Sequence, residues 1–297
     1  MHSNINDLLK PELLATVNGL ELVARIVVEG FMSGSNRSRS IGVGYEFSQY
    51  RSYEPGDDLR LLDWKMFARS ERYYVKQSEI ETNITVKFIL DSSRSMDYKE
   101  NDITKLQYAK VLIAALGYLA RKQSDTFGLY VVNDRQISMI EPRFEQQQFM
   151  RFLDQLIIAK SEGHWGKGKS LETLRRHVGK EIIIFFTDLY DDNKDLQEFV
   201  SRLKTSRNEV IVFHVMGNDE LNLENEGVFT FEDLETGERR KVDTIAQKKV
   251  YTRKVNDWLK ESRSWMLEKH IDYQLVRMNH SVESVLISFL NSRKRLL

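Results

Sequence analysis

From Ile84 to the C-terminus the chain alternates between two hydrophobic periods. Short apolar runs, such as Ile84-Thr85-Val86-Lys87-Phe88-Ile89-Leu90 and Glu181 to Thr187, are β-branched and aromatic and end in polar residues. Such runs predict buried strands. Between them, apolar residues return every three or four positions, as in Phe149, Phe152, Leu153, Leu156 and Ile157, which predicts amphipathic helices. The pattern places strands at 84–90, 126–133, 136–140, 181–187, 210–216 and 271–277. It places helices at 102–122, 146–159, 171–177, 195–203, 244–269 and 282–293. The second and third strands are expected to pair through a turn at Asn133-Asp134. Residues 227–242 predict a β-hairpin turning at Glu235-Thr236-Gly237. Alternating β and α units imply a doubly wound α/β fold, a mostly parallel sheet covered on both faces, with the hairpin as an insertion.

The first part of the chain reads differently. Residues 5–29 carry apolar positions at helical spacing and predict one or two helices broken near Asn18-Gly19. Residues 30–44, rich in Gly, Ser and Arg, predict an irregular loop. Next comes Tyr50-Arg51-Ser52-Tyr53-Glu54-Pro55-Gly56-Asp57-Asp58-Leu59-Arg60-Leu61-Leu62-Asp63-Trp64, then Ala68-Arg69 and a short strand at 72–77. A Pro-Gly turn with so many opposite charges suits a fixed ion-pair network. Arg51, Asp57, Asp58, Arg60, Asp63, Trp64 and Arg69 are therefore candidates for a structural clip, or for partner binding. The expected division is a helix and signature segment over 1–80, packed on a main domain over 81–297.

Composition narrows the chemistry. Lys plus Arg (44) equals Asp plus Glu (44), so no net field favours nucleic acid or an anionic membrane. There is no cysteine, which removes disulfides, thiolate zinc sites and thiol nucleophiles together. No apolar segment has the length of a membrane span and no signal segment is evident, so a cytoplasmic protein without membrane insertion is expected. None of the six histidines forms an i, i+4 pair on a helix, which disfavours a zinc hydrolase.

The first strand ends in Asp91-Ser92-Ser93-Arg94-Ser95. These residue types serve turns and N-caps, but Asp91, Ser93 and Ser95 are also hard oxygen donors at alternate positions. Asp188 ends the strand 181–187. If the two strands are neighbours, both carboxylates lie at the carboxyl edge of the sheet, where open α/β folds bind ligands. With the hydroxyls of Ser93, Ser95 and Ser170 they make an oxygen set suited to Mg²⁺, or to Mn²⁺ or Ca²⁺. One open position on such a cation could accept a partner's carboxylate. A haloacid-dehalogenase-type phosphatase would need a second Asp two residues after Asp91, and that position is Ser93. A rival motif is Gly163-His164-Trp165-Gly166-Lys167-Gly168-Lys169-Ser170, a letter-for-letter P-loop pattern that would make the protein a nucleotide-binding ATPase. A P-loop must follow a strand, yet 149–159 has helical periodicity.

The D-x-S-x-S loop followed by a distant Asp resembles the metal-ion-dependent adhesion site of von Willebrand factor type A domains, with Ser170 where that family has Thr. More narrowly, Gly44-x-Glu46-Phe47, the Arg51 to Trp64 pattern, Ala68-Arg69 and Glu232-Asp233-Leu234-Glu235-Thr236-Gly237-Glu238 resemble the bacterial family called domain of unknown function 58. The resemblance implies a non-enzymatic adaptor that binds a metal, works beside a MoxR-type AAA+ ATPase, and captures an acidic side chain of a client.

Overall fold

The structure is a computed structural model. It describes residues 10–36, 49–54, 62, 64–77, 84–135, 137–165, 180–190 and 195–294. The chain divides into two compact units, residues 1–33 with 84–297, and residues 34–83.

In chain order the described elements are α1 (Pro11–Leu14), α2 (Val17–Asn36), β1 (Gln49–Ser52), α3 (Trp64–Ser70), β2 (Tyr74–Gln77), β3 (Thr85–Asp91), a 3₁₀ turn (Arg94–Asp97), β4 (Lys99–Glu100), β5 (Ile103–Thr104), α4 (Lys105–Lys122), β6 (Thr126–Val132), β7 (Ile137–Arg143), α5 (Gln148–Ile158), β8 (Glu181–Thr187), α6 (Asp195–Leu203), β9 (Asn208–Met216), α7 (Asn218–Asn222), β10 (Val228–Glu232), β11 (Arg239–Asp243), α8 (Thr244–Glu268), β12 (Asp272–Arg277) and α9 (Val282–Lys294).

The larger unit is built on a six-stranded sheet of order β12-β9-β8-β3-β6-β7. All pairings are parallel except β6 with the edge strand β7. This is the doubly wound α/β arrangement expected from the alternating pattern. Every residue of the central strand β3 is buried, as befits a strand covered on both faces. Its one long polar residue, Lys87, is accommodated by an ion pair with Glu181 at 2.6 Å. One face of the sheet packs Phe88, Leu90, Leu129 and Phe213 against apolar residues of α2, α4, α5 and α9. The other face packs Ile89, Ile183, Phe185 and Val212 against Leu196, Phe199 and Val200 of α6 and Met266 of α8. The inserted hairpin is β10–β11, antiparallel and mostly exposed.

The helix α2 differs from expectation in two ways. It continues to Asn36, into the stretch read as loop, because single glycines cost a helix only about 1 kcal/mol each and do not end it. The break falls at Ala15-Thr16, and Gly19 lies inside α2, where a Cβ would sit 2.0 Å from the Leu13 carbonyl oxygen. Leu20, Val23, Ala24, Val27 and Val28 share the core of the larger unit, so this helix belongs with that unit and not with the signature segment. The expected short helix at 171–177 lies outside the described residues.

The smaller unit holds a two-stranded antiparallel ribbon, β1 with β2, in which Arg51 stands opposite Val75. Phe67 of α3 stacks on Tyr73 at 4.5 Å, and Tyr73 meets Tyr53 edge-on at 6.3 Å. Neither β1 nor α3 is evident from the sequence, because a four-residue strand and a seven-residue helix are too short to establish a period.

Candidate cation-binding site

From β3 and β8 the chain winds outward in opposite directions, toward β6 on one side and β9 on the other. The crevice beyond the carboxyl ends of β3 and β8 is therefore the topological switch point, the place where open α/β sheets bind ligands. Asp91 ends β3 and Asp188 directly follows β8, so the neighbour relation required of the two carboxylates holds.

Four of the five predicted ligands meet there. Asp91, Ser93, Ser95 and Asp188 are 0%, 0%, 7% and 3% exposed. The Ser93 amide donates to Asp91 Oδ1 at 2.9 Å, and the Thr187 hydroxyl donates to Asp91 Oδ2 at 2.7 Å. Ser95 Oγ donates to Asp188 Oδ1 at 3.1 Å and lies 3.0 Å from Ser93 Oγ. The loop that carries the serines is pinned from below. Ser92 donates from its amide and hydroxyl to the Val132 carbonyl, its own carbonyl accepts from Glu162 N, and Arg94 N donates to the Gly163 carbonyl. The fifth candidate, Ser170, lies outside the described residues, as do Asp57, Asp58, Arg60 and Asp63. Of the remaining signature residues, Trp64 is 62% exposed and Arg69 is exposed in the last turn of α3.

The electrostatics hold two carboxylates in a closed space. Burial, and then the neighbouring Asp188, push the Asp91 carboxyl up to about 7. Asp188 is compensated by a residue that sequence reasoning missed. Lys105, buried at the first turn of α4, donates from Nζ to Asp188 Oδ2 at 2.9 Å and to Glu220 Oε1 at 2.7 Å. Burial alone would push this lysine down, but the attraction of Asp188 and Glu220 prevails and holds it above its ordinary range. No sequence signal marks Lys105, since a lysine in a first helical turn is usually solvated. The helix that presents it is fixed by a capping box of Thr104 and Gln107.

The donor set suits a hard divalent cation. Among the described residues, no three of His, Asp and Glu form a ready metal cage. A cation here would therefore rest on serine hydroxyls and water beside the two aspartates, as small hard cations that retain waters allow. A third carboxylate, that of Glu235, also reaches toward the site. Glu235, at the hairpin tip, lies beside the Ser95 hydroxyl and within the field of Asp188. Its Oε1 is buried with no hydrogen-bond partner. Burial raises this carboxyl above its ordinary range, although His164 and Ser95 oppose the shift.

The P-loop reading lacks its structural context. Helix α5, not a strand, precedes the motif. Gly163 is held at φ +67 against Asp134, and Trp165 is buried against Phe185 and Phe199 at 5.4 and 4.8 Å. The remainder of the motif, 166–170, lies outside the described residues.

Behind the site, His214 of β9 is fully buried beside Thr187. Its Nδ1 lies 2.7 Å from the Tyr273 hydroxyl, Trp258 meets the ring edge-on, and Nε2 has no partner. Burial depresses it to about 3, with Lys105 adding to that shift and Asp188 opposing it. The unfolded chain takes up this proton near pH 6.5 and the folded chain does not, so stability is present above 6.5 and falls as pH drops toward 3. The slope of unfolding free energy between pH 6 and 4 should therefore be shallower in His214→Phe, by about 1.4 kcal/mol per pH unit. Equal slopes in acid-titrated denaturant melts would contradict this account.

The sheet is doubly wound with an antiparallel edge strand, and a D-x-S-x-S loop stands at its switch point. The chain belongs to the family described as protein of unknown function DUF58, whose profile matches residues 49–260. It is 23% identical over 235 residues to the uncharacterized protein Rv1480 of Mycobacterium tuberculosis, spanning 78% of this chain and 74% of that one. Among solved structures it is similar to the conserved hypothetical protein BatB from Bacteroides thetaiotaomicron, with TM-score 0.42, 16% identity, and coverage of 71% of this chain and 99% of that one. It is also similar to the SpRpn10 VWA domain, with TM-score 0.38, 11% identity, and coverage of 68% and 93%. Among the described residues, no helix is long and apolar enough to cross a membrane.

Proposed function

We propose that this protein is a non-enzymatic adaptor. It binds Mg²⁺ through Asp91, Ser93, Ser95 and Asp188, with Ser170 as a further ligand, and uses the ion to capture a carboxylate of a protein partner. The observation that carries this reading is the convergence of two buried aspartates and two serine hydroxyls at the switch point. No cysteine is available as a nucleophile, and His214, the imidazole behind the site, is sealed in the core. Binding rather than turnover is what such a site can do. An ion at the floor of a crevice fixes the register of a partner carboxylate, while affinity comes from the surrounding surface. The family resemblance suggests a MoxR-type AAA+ ATPase as the working partner.

The test is capture from native cytoplasm on the immobilised full chain, with Mg²⁺ or with chelator. The expected result is an AAA+ ATPase or its client retained with Mg²⁺, released by chelator, and absent from Asp91→Asn. Retention indifferent to both chelator and substitution would overturn the proposal.

A further inference from the structure

The inserted hairpin does more than project from the domain. Its strands are mostly exposed, but its tip folds back over the switch point. Asp233 accepts the amides of Glu235 and Thr236 at 2.9 and 2.7 Å, which closes the tip into a tight turn. Two contacts then tie the tip to loops beside the site. The Tyr190 hydroxyl, from the loop after β8, donates to Asp233, and His164 Nδ1 donates to Glu235 Oε2 at 3.0 Å. The Glu235 side chain is only 10% exposed, although it sits on a turn. One of its oxygens serves His164, and the other is buried beside the Ser95 hydroxyl without a hydrogen bond of ordinary geometry.

We propose that Glu235 is an intramolecular carboxylate ligand of the cation site, so that the hairpin tip occupies the place a partner's carboxylate would take. This rests on the reading of the site given above. A buried carboxylate oxygen without a strong donor is costly, and here it also lies in the field of Asp188. Lys105 compensates Asp188 and is 2.9 Å from it, whereas the ring paired with Glu235 is the half-exposed His164. A divalent ion among Ser93, Ser95 and Glu235 would satisfy the unpartnered oxygen and hold the tip down. The Tyr190–Asp233 and His164–Glu235 contacts hold the tip, and the ion would add a further tie at Glu235. A partner engages the site by bringing its own carboxylate and displacing the tip. The hairpin is therefore a tethered cover, and access to the ion is set by competition between one internal and one external carboxylate.

Amide hydrogen exchange of the full chain, with and without Mg²⁺, tests this when read beside calorimetric titration of the same samples. In the wild type, Mg²⁺ should slow exchange of residues 233–238 about tenfold or more. In Glu235→Gln the protein should fold normally, as judged by unchanged protection of β3 and β8, but Mg²⁺ should no longer protect the tip. Its Mg²⁺ affinity should be weaker by about tenfold. If Mg²⁺ binds the wild type and tip exchange does not change, or slows equally in Glu235→Gln, the role of Glu235 is wrong and the cation site stands. If Mg²⁺ binds neither protein, the cation reading itself fails, and this inference fails with it.

Discussion

Lys105→Met should lower the stability of the metal-free protein at pH 7 by about 3–5 kcal/mol, the usual cost of removing one partner from a buried ionic cluster. The substitution preserves much of the side chain's length and apolar stem, so the loss is one of charge. Asp188 would lose the ammonium at Oδ2, and Glu220 would lose it at Oε1. Glu220 would keep only the Gly217 amide, at 2.8 Å, on its other oxygen. Both acids sit in low-exposure surroundings where an unpaired charge is poorly solvated. Two further results should accompany the loss. The deficit should shrink as pH falls, because Glu220, whose carboxyl burial already holds above its ordinary range, can then take up a proton, and Lys105→Met with Glu220→Gln should recover part of it. Chemical denaturation at pH 7 and pH 4.5 measures both. A loss under 1 kcal/mol at pH 7 would mean that the lysine does not neutralise the site.

Asp91→Asn should act in the opposite direction on stability. Asn keeps an acceptor for the Ser93 amide and can still meet the Thr187 hydroxyl, while removing a charge from a fully buried position near Asp188. The sign follows from the raised carboxyl. Its ordinary value is 3.8 and its folded value about 7, so the folded protein holds this proton more tightly than the unfolded chain. The site therefore costs least below pH 3.8, and its cost grows as pH rises to 7. Above pH 7, without metal, Asp91→Asn should be more stable than the wild type by on the order of 2–4 kcal/mol, and the gain should vanish near pH 4. A stabilising substitution at a buried polar residue marks a position kept for function and not for folding. Thermal melts in chelator across that pH range check the prediction, and a destabilised variant at pH 8 would contradict it.

Much of the architecture was legible because the two periods are strong where the sheet and its helices lie. The strands at 181–187 and 210–216 and the helix 195–203 fall within two residues of expectation. The parallel sheet followed from alternation alone. Asp91, Ser93, Ser95 and Asp188 were legible because alternating oxygen donors at a strand end carry a chemical signature. Lys105, Thr187, Glu220 and His214 were not, since each reaches the crevice only through what the fold places beside it. Lys105 and Asp188 are 83 residues apart in sequence, and Lys105 and Glu220 are 115 apart. Glu235 was visible as part of the Glu232 to Glu238 pattern, but nothing in a hairpin sequence says where its tip points. The short elements β4, β5 and α7 also escaped, being too brief to show a period.

The central claim is that the crevice beyond β3 and β8 holds a divalent cation. The most direct measurement is a calorimetric titration of Mg²⁺ into chelator-stripped wild-type protein and into Asp91→Asn, at pH 8, where the Asp91 carboxyl is ionised. The account predicts one equivalent bound by the wild type, with affinity reduced at least 100-fold in a normally folded Asp91→Asn protein. Equal affinity in the two proteins, or no binding to the wild type, would contradict it.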